Sequence, residues 1–244
     1  MPADHFAGDV AARYDAGLGA MSESAVLDRT IDVLAELAGD GAALEFAIGT
    51  GRVALPLRQR GVPVAGIDFS PDMVAQLRAK PGADGIAVTI GNIATTRVEG
   101  SFALVYLVFN TIMNLTTQDE QVACFANAAA YLQPGGCFVV EVGVPALRRL
   151  PPGQTVVPFH VQPDYVGFDE YTDLTEVQRM TSHHYRVADG RGRVASVPFR
   201  YVWPAELDLM ARLAGMTLCH RWATWSRDEF TSDSPSHVSV WARP

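Results

Sequence analysis

The residues of this chain that are best suited to chemistry surround a short glycine-rich turn. Gly49 and Gly51 lack side chains, so the backbone there can turn sharply and approach a ligand closely. Glu45 precedes the turn within an apolar run, and a carboxylate is costly to bury there unless it is paired or faces a site. Asp68 ends the next apolar run, where a carboxylate can accept both hydroxyls of a ribose. These residue types predict a site for a ligand that contains a nucleoside.

Candidate bases and substrate contacts lie further along the chain. His183 and His184 are adjacent in a predicted strand, so they face opposite sides and at most one of them points into a cleft. Glu141 ends the fifth predicted strand, while Asn110 and Asn114 follow the fourth. Each of these residue types is more often structural than catalytic, so spacing alone leaves their roles open.

Alternating strands and helices are expected to position these residues. Strands are predicted at 42–48, 62–68, 86–90, 102–109 and 137–142, and helices at 22–38, 52–60 and 117–132. A further helix opens at Ser70, with Pro71 at its first position. This alternation predicts a parallel sheet, and such sheets bind ligands beyond the carboxyl ends of their strands.

The pattern changes after Gly143, where repeated prolines interrupt it. We interpret residues 150–203 as a small antiparallel β cap inserted over the substrate site, with residues 1–149 and 204–244 forming the main domain. Within the cap, strands are predicted at 176–187 and 193–203, joined by a turn at Asp189 and Gly190. A helix at 204–214 and strands at 216–225 and 237–242 then complete the main sheet as a hairpin.

The composition of the chain indicates a globular protein and argues against some kinds of partner. Hydrophobic residues make up 48% and charged residues 19%, as in a globular protein. The net charge of −8 argues against nucleic acid as a partner, and no apolar run approaches the roughly 20 residues that span a bilayer. The amino terminus is unlike a signal peptide, and the three cysteines lack metal-ligand spacing, so we expect a reduced, cytoplasmic protein without a metal. The sequence is compatible with a homodimer.

The segment Glu45-x-Ala47-x-Gly49-x-Gly51 resembles motif I of the class I S-adenosylmethionine (SAM)-dependent methyltransferases. Other features agree with this resemblance: the run from Asp68 to Met73, Gly91-Asn92-Ile93, the segment 132–136, and the late hairpin. The inserted cap is similar to that of deoxysugar N-methyltransferases and antibiotic-pathway methyltransferases. The resemblance implies a Rossmann-like α/β fold with a seven-stranded, mostly parallel sheet and a C-terminal antiparallel hairpin.

The resemblance also implies a reaction and a cofactor site. The methyl group of SAM would pass by in-line displacement to an N, O or S atom of a small molecule, a secondary metabolite, leaving S-adenosylhomocysteine (SAH). Asp68 would hold the ribose hydroxyls, and Tyr14 resembles a tyrosine that closes over the cofactor. The expected cofactor contacts are Tyr14, Glu45, Ala47, Gly49, Thr50, Gly51, Arg52, Asp68, Phe69, Met73, Asn92, Ile93, Val108 and Phe109.

On the acceptor side, His184 and Tyr14 are the candidate catalytic residues. Two positions depart from the family pattern: Ala47 replaces the first glycine, and Asn92 replaces the acid that would bond the adenine amine, although an amide carbonyl can still accept that bond. Residues 110–114 do not match the sugar methyltransferases, so the resemblance does not extend to a sugar acceptor. The expected acceptor contacts are Asn110, Asn114, Glu141, Tyr171, His183 and His184.

Two other functions remain open at the level of sequence. The run from Gly49 to Ala54 fits the G-x-G-x-x-A pattern of nicotinamide-dependent oxidoreductases, with Asp68 as the acidic partner. Three features argue against an oxidoreductase: Glu45, the predicted antiparallel hairpin at the end of the sheet, and the lack of a Tyr-x-x-x-Lys pair. The one lysine, Lys80, lies outside any evident catalytic context. A catalytically silent binding protein would show an eroded motif I or lack Asp68, and neither is the case.

Overall fold

Two β-sheets organise the chain, one of seven strands and one of four, in a computed structural model that describes residues 4–17, 24–188 and 190–244. The strands are β1 Ala43–Phe46, β2 Val64–Asp68, β3 Ala87–Ile90, β4 Phe102–Leu107, β5 Leu132–Gly143, β6 Val156–Gln162, β7 Tyr165–Asp173, β8 Arg179–Ala188, β9 Arg191–Arg200, β10 Thr217–Trp222 and β11 Ser236–Ala242. The helices are α1 Asp9–Arg13, α2 Ser24–Ala38, α3 Ala54–Gln59, α4 Pro71–Arg78, α5 Gln118–Tyr131 and α6 Pro204–Leu213.

The larger sheet has the strand order β10-β11-β5-β4-β1-β2-β3. Strand β1 pairs in parallel with both β2 and β4, while β11 runs antiparallel to both β5 and β10. The direction of chain progression reverses between β1 and β4, which opens a crevice at the carboxyl ends of these two strands. This topology confirms the predicted mostly parallel sheet with a C-terminal antiparallel hairpin.

Helices cover both faces of the sheet, so β1 and β4 are buried along their full lengths. One apolar core lies towards α2, α3 and α4 and includes Leu34, Leu57 and Leu77. The other lies towards α5 and α6, where Phe125 packs edge-on against Trp241 with ring centroids 5.3 Å apart. None of the described helices combines the length and apolar character needed to cross a bilayer.

Several boundaries differ from the sequence-based expectation for physical reasons. Ser70 caps α4 with Pro71 at its first position, as predicted. The fourth strand stops at Leu107 rather than at residue 109, because Phe109 adopts a left-handed backbone with φ 64°. The fifth strand starts earlier than predicted, since Leu132 already pairs with β4. The predicted helix at 52–60 is shorter, and the predicted helix start at residue 22 lies outside the described residues.

The smaller sheet, β6 to β9, is antiparallel throughout. The sequence predicted strands that correspond to β8 and β9 but missed β6 and β7, because Pro158 interrupts the first of them. Strand β6 is an edge strand that pairs with β7, where a residue without a backbone amide is tolerated. Asp189 of the predicted turn lies outside the described residues.

The base of the smaller sheet is anchored to the main domain. Arg200 is buried, and its guanidinium donates to Gln121 of α5 at 2.5 Å and to Glu206 of α6 at 2.7 Å. Gln178 completes the cluster, since its side chain contacts both Arg200 and Glu206. Partial burial pushes the pKa of Glu206 up, but the hydrogen bonds from Arg200 and Gln178 outweigh it and hold that pKa below its usual value. Arg200 thus ties β9 to α6 through an ion pair and to α5 through a hydrogen bond.

Replacing Arg200 with Met is expected to lower the free energy of unfolding by about 3–5 kcal/mol, because Glu206 then keeps a largely buried charge without its partner. Urea unfolding at pH 7 measures this. The control is Arg60→Gln, which breaks an exposed pair with Asp32 and should change stability by less than about 1 kcal/mol. Equal losses in the two variants would contradict the anchoring role of Arg200.

Candidate active site

The turn after β1 has the backbone geometry that the sequence predicted. Gly49 and Gly51 have φ values of 55° and 77°, in the left-handed region. A Cβ atom at Gly51 would overlap Leu77, and one at Gly49 would press against Met73. Ala47 has φ 56°, so the residue that replaces the first glycine of the motif adopts a conformation that glycine favours. This turn, called the glycine cradle below, therefore packs against α4 too closely for a side chain at either glycine.

Asp68 joins the tips of β1 and β2. Its Oδ2 accepts a hydrogen bond from the Gly49 amide at 2.6 Å, and its Oδ1 accepts one from the Ser70 amide at 2.8 Å. Burial raises the pKa of Asp68, although these two amide hydrogen bonds oppose the shift. Each carboxylate oxygen has a second lone pair, so Asp68 could also accept two hydroxyls of a ribose.

Glu45 is buried beside the same turn, with 3% of its surface exposed. Burial raises the pKa of Glu45 to about 8, against the opposing effects of the Tyr106 hydroxyl, which donates to Oε2 at 2.9 Å, and of nearby Arg52. The carboxyl group is therefore mostly protonated at neutral pH. A cation brought into this site would favour its ionised form.

A small pocket lies between the glycine turn and the end of β4. The Arg52 guanidinium stands 5.3 Å from the centroid of the Phe109 ring at its wall. Burial raises the pKa of the Tyr14 hydroxyl, which lies near Arg52 and Asp68. The lining residues are Tyr14, Glu45, Ala47, Ile48, Gly49, Thr50, Arg52, Val53, Val108, Phe109 and Thr111. The pocket thus brings together eight of the residues that the sequence predicted for the cofactor.

Segment 4–17 covers this pocket through polar contacts. The Gly8 amide donates to Asp72 at 2.7 Å, and the Thr50 hydroxyl donates to Asp15 at 2.6 Å. Lys80 contacts Asp15 at 2.5 Å and also donates to the Thr50 carbonyl. The segment is therefore pinned on two sides of the glycine turn.

Lys80, which the sequence placed outside any evident catalytic context, has a structural role. Its ammonium group bridges segment 4–17 and the glycine turn. Partial burial pushes the pKa of Asp15 up, but the hydrogen bonds from Lys80 and Thr50 outweigh it, so that pKa lies below its usual value. Sequence reasoning missed Asp15 as well, although it follows Tyr14 directly.

Residues 108–110 form a strained turn held by β5. Phe109 and Asn110 are both left-handed, with φ values of 64° and 61°. Glu141 accepts the Phe109 amide through its Oε2 at 3.1 Å and the Asn110 amide through its backbone carbonyl at 3.1 Å. The Asn110 side chain in turn accepts the Gly143 amide at 2.6 Å. Glu141 and Asn110 therefore hold Phe109 in place. The sequence had assigned both residues to contact the methyl acceptor and did not predict this structural role.

The loop after β3 is held partly by a residue that the sequence did not reveal. The sequence suggested that the Asn92 side-chain carbonyl accepts an adenine amine. In the structure this carbonyl already accepts the Ala94 amide at 2.8 Å, which leaves one lone pair for a ligand. From α5, Asn127 donates to the carbonyls of Ile93 at 2.7 Å and Thr96 at 3.1 Å. Asn127 could have been found from the sequence, because a polar residue on the buried face of a helix needs a hydrogen-bond partner.

The remaining predicted contacts near this loop pack beside the cradle. Phe69 is half-buried directly after Asp68, while Met73 and Ile93 are buried, with 5% and 7% of their surfaces exposed. Together with Asn92, these residues lie at the carboxyl ends of β2 and β3, where the sequence predicted the adenine.

His184 and His183 face opposite sides of β8, as predicted. His184 shares its face with Met180 and Ser182, which are both buried. Its Nδ1 lies 2.6 Å from the Tyr165 hydroxyl and its Nε2 lies 3.3 Å from the Ser182 hydroxyl. Burial lowers the pKa of His184, so the ring is neutral at pH 7. His184 is therefore on the same side of the smaller sheet as Met180, which belongs to the core shared with α5 and α6.

The other predicted acceptor contacts are spread apart. His183 contacts Ser196 and Glu170 on the opposite face of the sheet. Tyr171 is packed in the core at the base of the sheet, and its hydroxyl accepts the Ala146 amide at 3.1 Å. Asn114 ends a short 3-10 turn after the left-handed pair. The contact of these three residues with an acceptor stays a prediction.

Similarity to known proteins identifies the family. A family profile described as a methyltransferase domain matches residues 43–136. The structure of the CcbJ methyltransferase from Streptomyces caelestis is 34% identical, covers 99% of this chain and 100% of that chain, and superposes with a TM-score of 0.87. The chain belongs to the class I SAM-dependent methyltransferases. SAM is thus the cofactor, and the interpretation as a nicotinamide-dependent oxidoreductase is wrong.

More distant proteins share the fold. The SAM-bound structure of CalS10 from Micromonospora echinaspora, an amino pentose methyltransferase, is 21% identical over 100% of both chains with a TM-score of 0.71. The curated relative YqeM of Bacillus subtilis, whose assignment as a methyltransferase is itself provisional, is 26% identical over 110 residues. That match spans 44% of this chain and 44% of the relative's length. The likeness therefore extends from the cofactor motifs to the whole fold.

Replacing Asp68 with Ala is expected to weaken the affinity for SAH at least tenfold, because hydrogen bonds to a charged group are worth about 1.5–3 kcal/mol each. Isothermal titration calorimetry measures this. The control is Asp84→Ala, which removes an exposed carboxylate and should leave the affinity within about twofold of the unaltered protein. Unchanged affinity in the Asp68 variant would count against the site.

The raised pKa of Glu45 predicts a pH-dependent stability. The folded state holds this proton more tightly than the unfolded chain between pH 4.5 and about 8, so the contribution of Glu45 to stability is lost as pH rises through that window. Glu45→Gln keeps an acceptor for Tyr106 but does not titrate. The free energy of unfolding of the variant, relative to the unaltered protein, should therefore increase from pH 5 to pH 8. Urea unfolding at four pH values tests this, and a constant difference would contradict it.

Proposed function

We propose that this protein transfers the methyl group of SAM to a nitrogen, oxygen or sulfur atom of a small molecule, a secondary metabolite. The observation that carries the proposal is the Asp68 carboxylate bridging two strand tips beside the glycine cradle, in a chain similar along its length to a methyltransferase. The residues fit the cofactor because each Asp68 oxygen keeps a second lone pair for a ribose hydroxyl, beside a glycine turn whose backbone a ligand can approach. When bound, SAM supplies an electrophilic methyl group on a positively charged sulfur.

The protein's own contribution is to bind, align and exclude water. Asp68 holds the ribose, while Asn92, Ile93, Phe69 and Met73 surround the adenine. Alignment of a nucleophile with the transferred group can be worth roughly 7–11 kcal/mol, so rigid walls matter more than a strong base. The left-handed turn held by Glu141 supplies such a wall, because it fixes the Phe109 ring beside Arg52.

Segment 4–17 closes the cofactor pocket in this proposal. Tyr14 lines that pocket, and Asp15 is tied to both Thr50 and Lys80. Release of these polar contacts would open the pocket without disturbing the core, since Asp15 is exposed. Tyr14 thus lies over the reacting groups and keeps water from them.

Residues 150–203 form the cap over the acceptor. Its strand β9 reaches segment 4–17, because Arg193 contacts Asp9 at 2.9 Å. On the inner face, the neutral His184 is the candidate base for a hydroxyl acceptor, oriented by Tyr165 and Ser182. An amine or thiolate acceptor would not require it. Asn110, Asn114, Tyr171 and His183 are assigned to acceptor positioning.

The acceptor class is supported by the structural neighbours. CalS10 is described as an amino pentose methyltransferase involved in calicheamicin biosynthesis, and KedS8 from Streptoalloteichus as a sugar N-methyltransferase. These descriptions support a small-molecule secondary metabolite rather than a particular sugar. Free thiols at Cys124, Cys137 and Cys219 support a cytoplasmic location.

SAH at 100 times its dissociation constant should raise the melting temperature by about 5–10 °C, because ligand binding then adds about 2.7 kcal/mol of stability. NADPH at the same concentration should leave it unchanged. Differential scanning fluorimetry measures both. A shift with NADPH and none with SAH would overturn the proposed function.

Turnover separates an enzyme from a catalytically silent binding protein. The protein is incubated with methyl-labelled SAM and small-molecule extracts, and mass spectrometry identifies labelled products. We expect a labelled product of low molecular mass, lost in the Asp68→Ala variant. SAH binding without any labelled product would favour the silent protein.

A further inference from the structure

The loop after β3 presents one amide side chain beside the predicted ribose site. The Gly91 amide donates to the Asp68 carbonyl at 2.8 Å, and Asn92 follows directly. Asn92 stands where the methyltransferase pattern carries an acid that would bond the adenine amine. A carboxylate accepts hydrogen bonds but donates none, whereas an amide does both. The two side chains are close in size, so the exchange changes mainly the hydrogen-bonding character of this position.

The structure fixes the orientation of this amide. Its Oδ1 accepts the Ala94 amide at 2.8 Å, a hydrogen bond that only the side-chain oxygen can make. The Asn92 backbone carbonyl accepts the amides of Thr95 at 3.0 Å and Thr96 at 2.8 Å, so the main chain is held as well. The Nδ2 group makes no hydrogen bond to any residue that the structure describes. Asn92 is half-buried, so the two Nδ2 donors are open to a ligand.

The loop that carries Asn92 is braced by α5. Asn127 donates to the Ile93 carbonyl at 2.7 Å and to the Thr96 carbonyl at 3.1 Å. The Tyr131 hydroxyl donates to the same Thr96 carbonyl at 3.0 Å. These contacts leave the loop little freedom to rearrange around a base. The hydrogen-bonding groups of Asn92 are therefore held in place before a base binds.

We infer that Asn92 lets the cofactor site bind a purine with either a donor or an acceptor at C6, instead of selecting the amino group of adenine. The inference rests on the proposed function, because it concerns the base of the same cofactor. The remaining lone pair of Oδ1 can accept from an amino group, and Nδ2 can donate to an oxygen. A carboxylate at this position would pair with an amino group alone, since facing an oxygen would leave both groups unpaired.

The test compares two analogues of SAH that have nearly the same shape. One carries a methylamino group at the purine C6, which donates a hydrogen bond, and the other carries a methoxy group, which only accepts. The ring nitrogens are alike in the two analogues, so the comparison isolates the group at C6. Isothermal titration calorimetry with the intact protein at pH 7 measures both dissociation constants. We expect them to lie within about fivefold of each other, because Asn92 can pair with either group.

Asn92→Asp is the informative variant, because it keeps an acceptor for the Ala94 amide and removes the donor. It should bind the methylamino analogue at least about tenfold more tightly than the methoxy analogue, since charge-assisted hydrogen bonds are stronger than neutral ones and the methoxy oxygen would face a carboxylate. The matched control, Gln133→Glu, makes the same amide-to-carboxylate exchange on an exposed residue at the amino end of β5. It should behave like the unaltered protein.

Three results would overturn the inference. They are a difference of more than about fivefold between the analogues in the unaltered protein, failure of both analogues to bind where SAH binds, or no greater preference in Asn92→Asp than in the unaltered protein. The melting-temperature shift with SAH shows that each variant is folded and binds cofactor. If Asn92→Asp gives no such shift, the comparison in the unaltered protein decides.

The same measurements separate this inference from the proposed function. If the unaltered protein does not bind SAH, the proposed function fails. If it binds SAH but strongly prefers the methylamino analogue, or binds neither analogue, this inference alone fails.

Discussion

The structure of the site depends on one carboxylate that accepts two backbone amides. Asp68 bonds the Gly49 amide from the turn after β1 and the Ser70 amide at the cap of α4. A buried carboxylate is costly, and these hydrogen bonds offset much of that cost while fixing the two strand tips relative to each other. The positions of the glycine cradle and of the start of α4 are thereby set by a single side chain.

A second constraint operates at the end of β4. Two successive residues, Phe109 and Asn110, adopt left-handed conformations that L-residues rarely occupy. Such strained conformations persist only where surrounding contacts hold them. Here Glu141 accepts the Phe109 amide, and the Gly143 amide donates to the Asn110 side chain. Glu141 also lines a cavity of about 230 Å³ on the α2 side of the larger sheet, so one carboxylate contacts both this cavity and the Phe109 backbone.

Two arginines of β9 join the smaller sheet to other parts of the chain. Arg200 ties its base to α5 and α6, while Arg193 contacts Asp9 of segment 4–17. The first contact is buried and the second is exposed, so the base should be rigid and the tip adaptable.

The sequence by itself determined the parallel sheet, its antiparallel finish and the glycine turn beside Asp68. These follow from local signals: the period of apolar residues, the glycines at 49 and 51, and the acid that ends β2. Strands β6 and β7 were missed because Pro158 breaks the local pattern, although an edge strand tolerates it. Only the tertiary structure decided the tasks of Asn127, Lys80 and Glu141, because each contacts residues distant in sequence, and no local periodicity records such a contact.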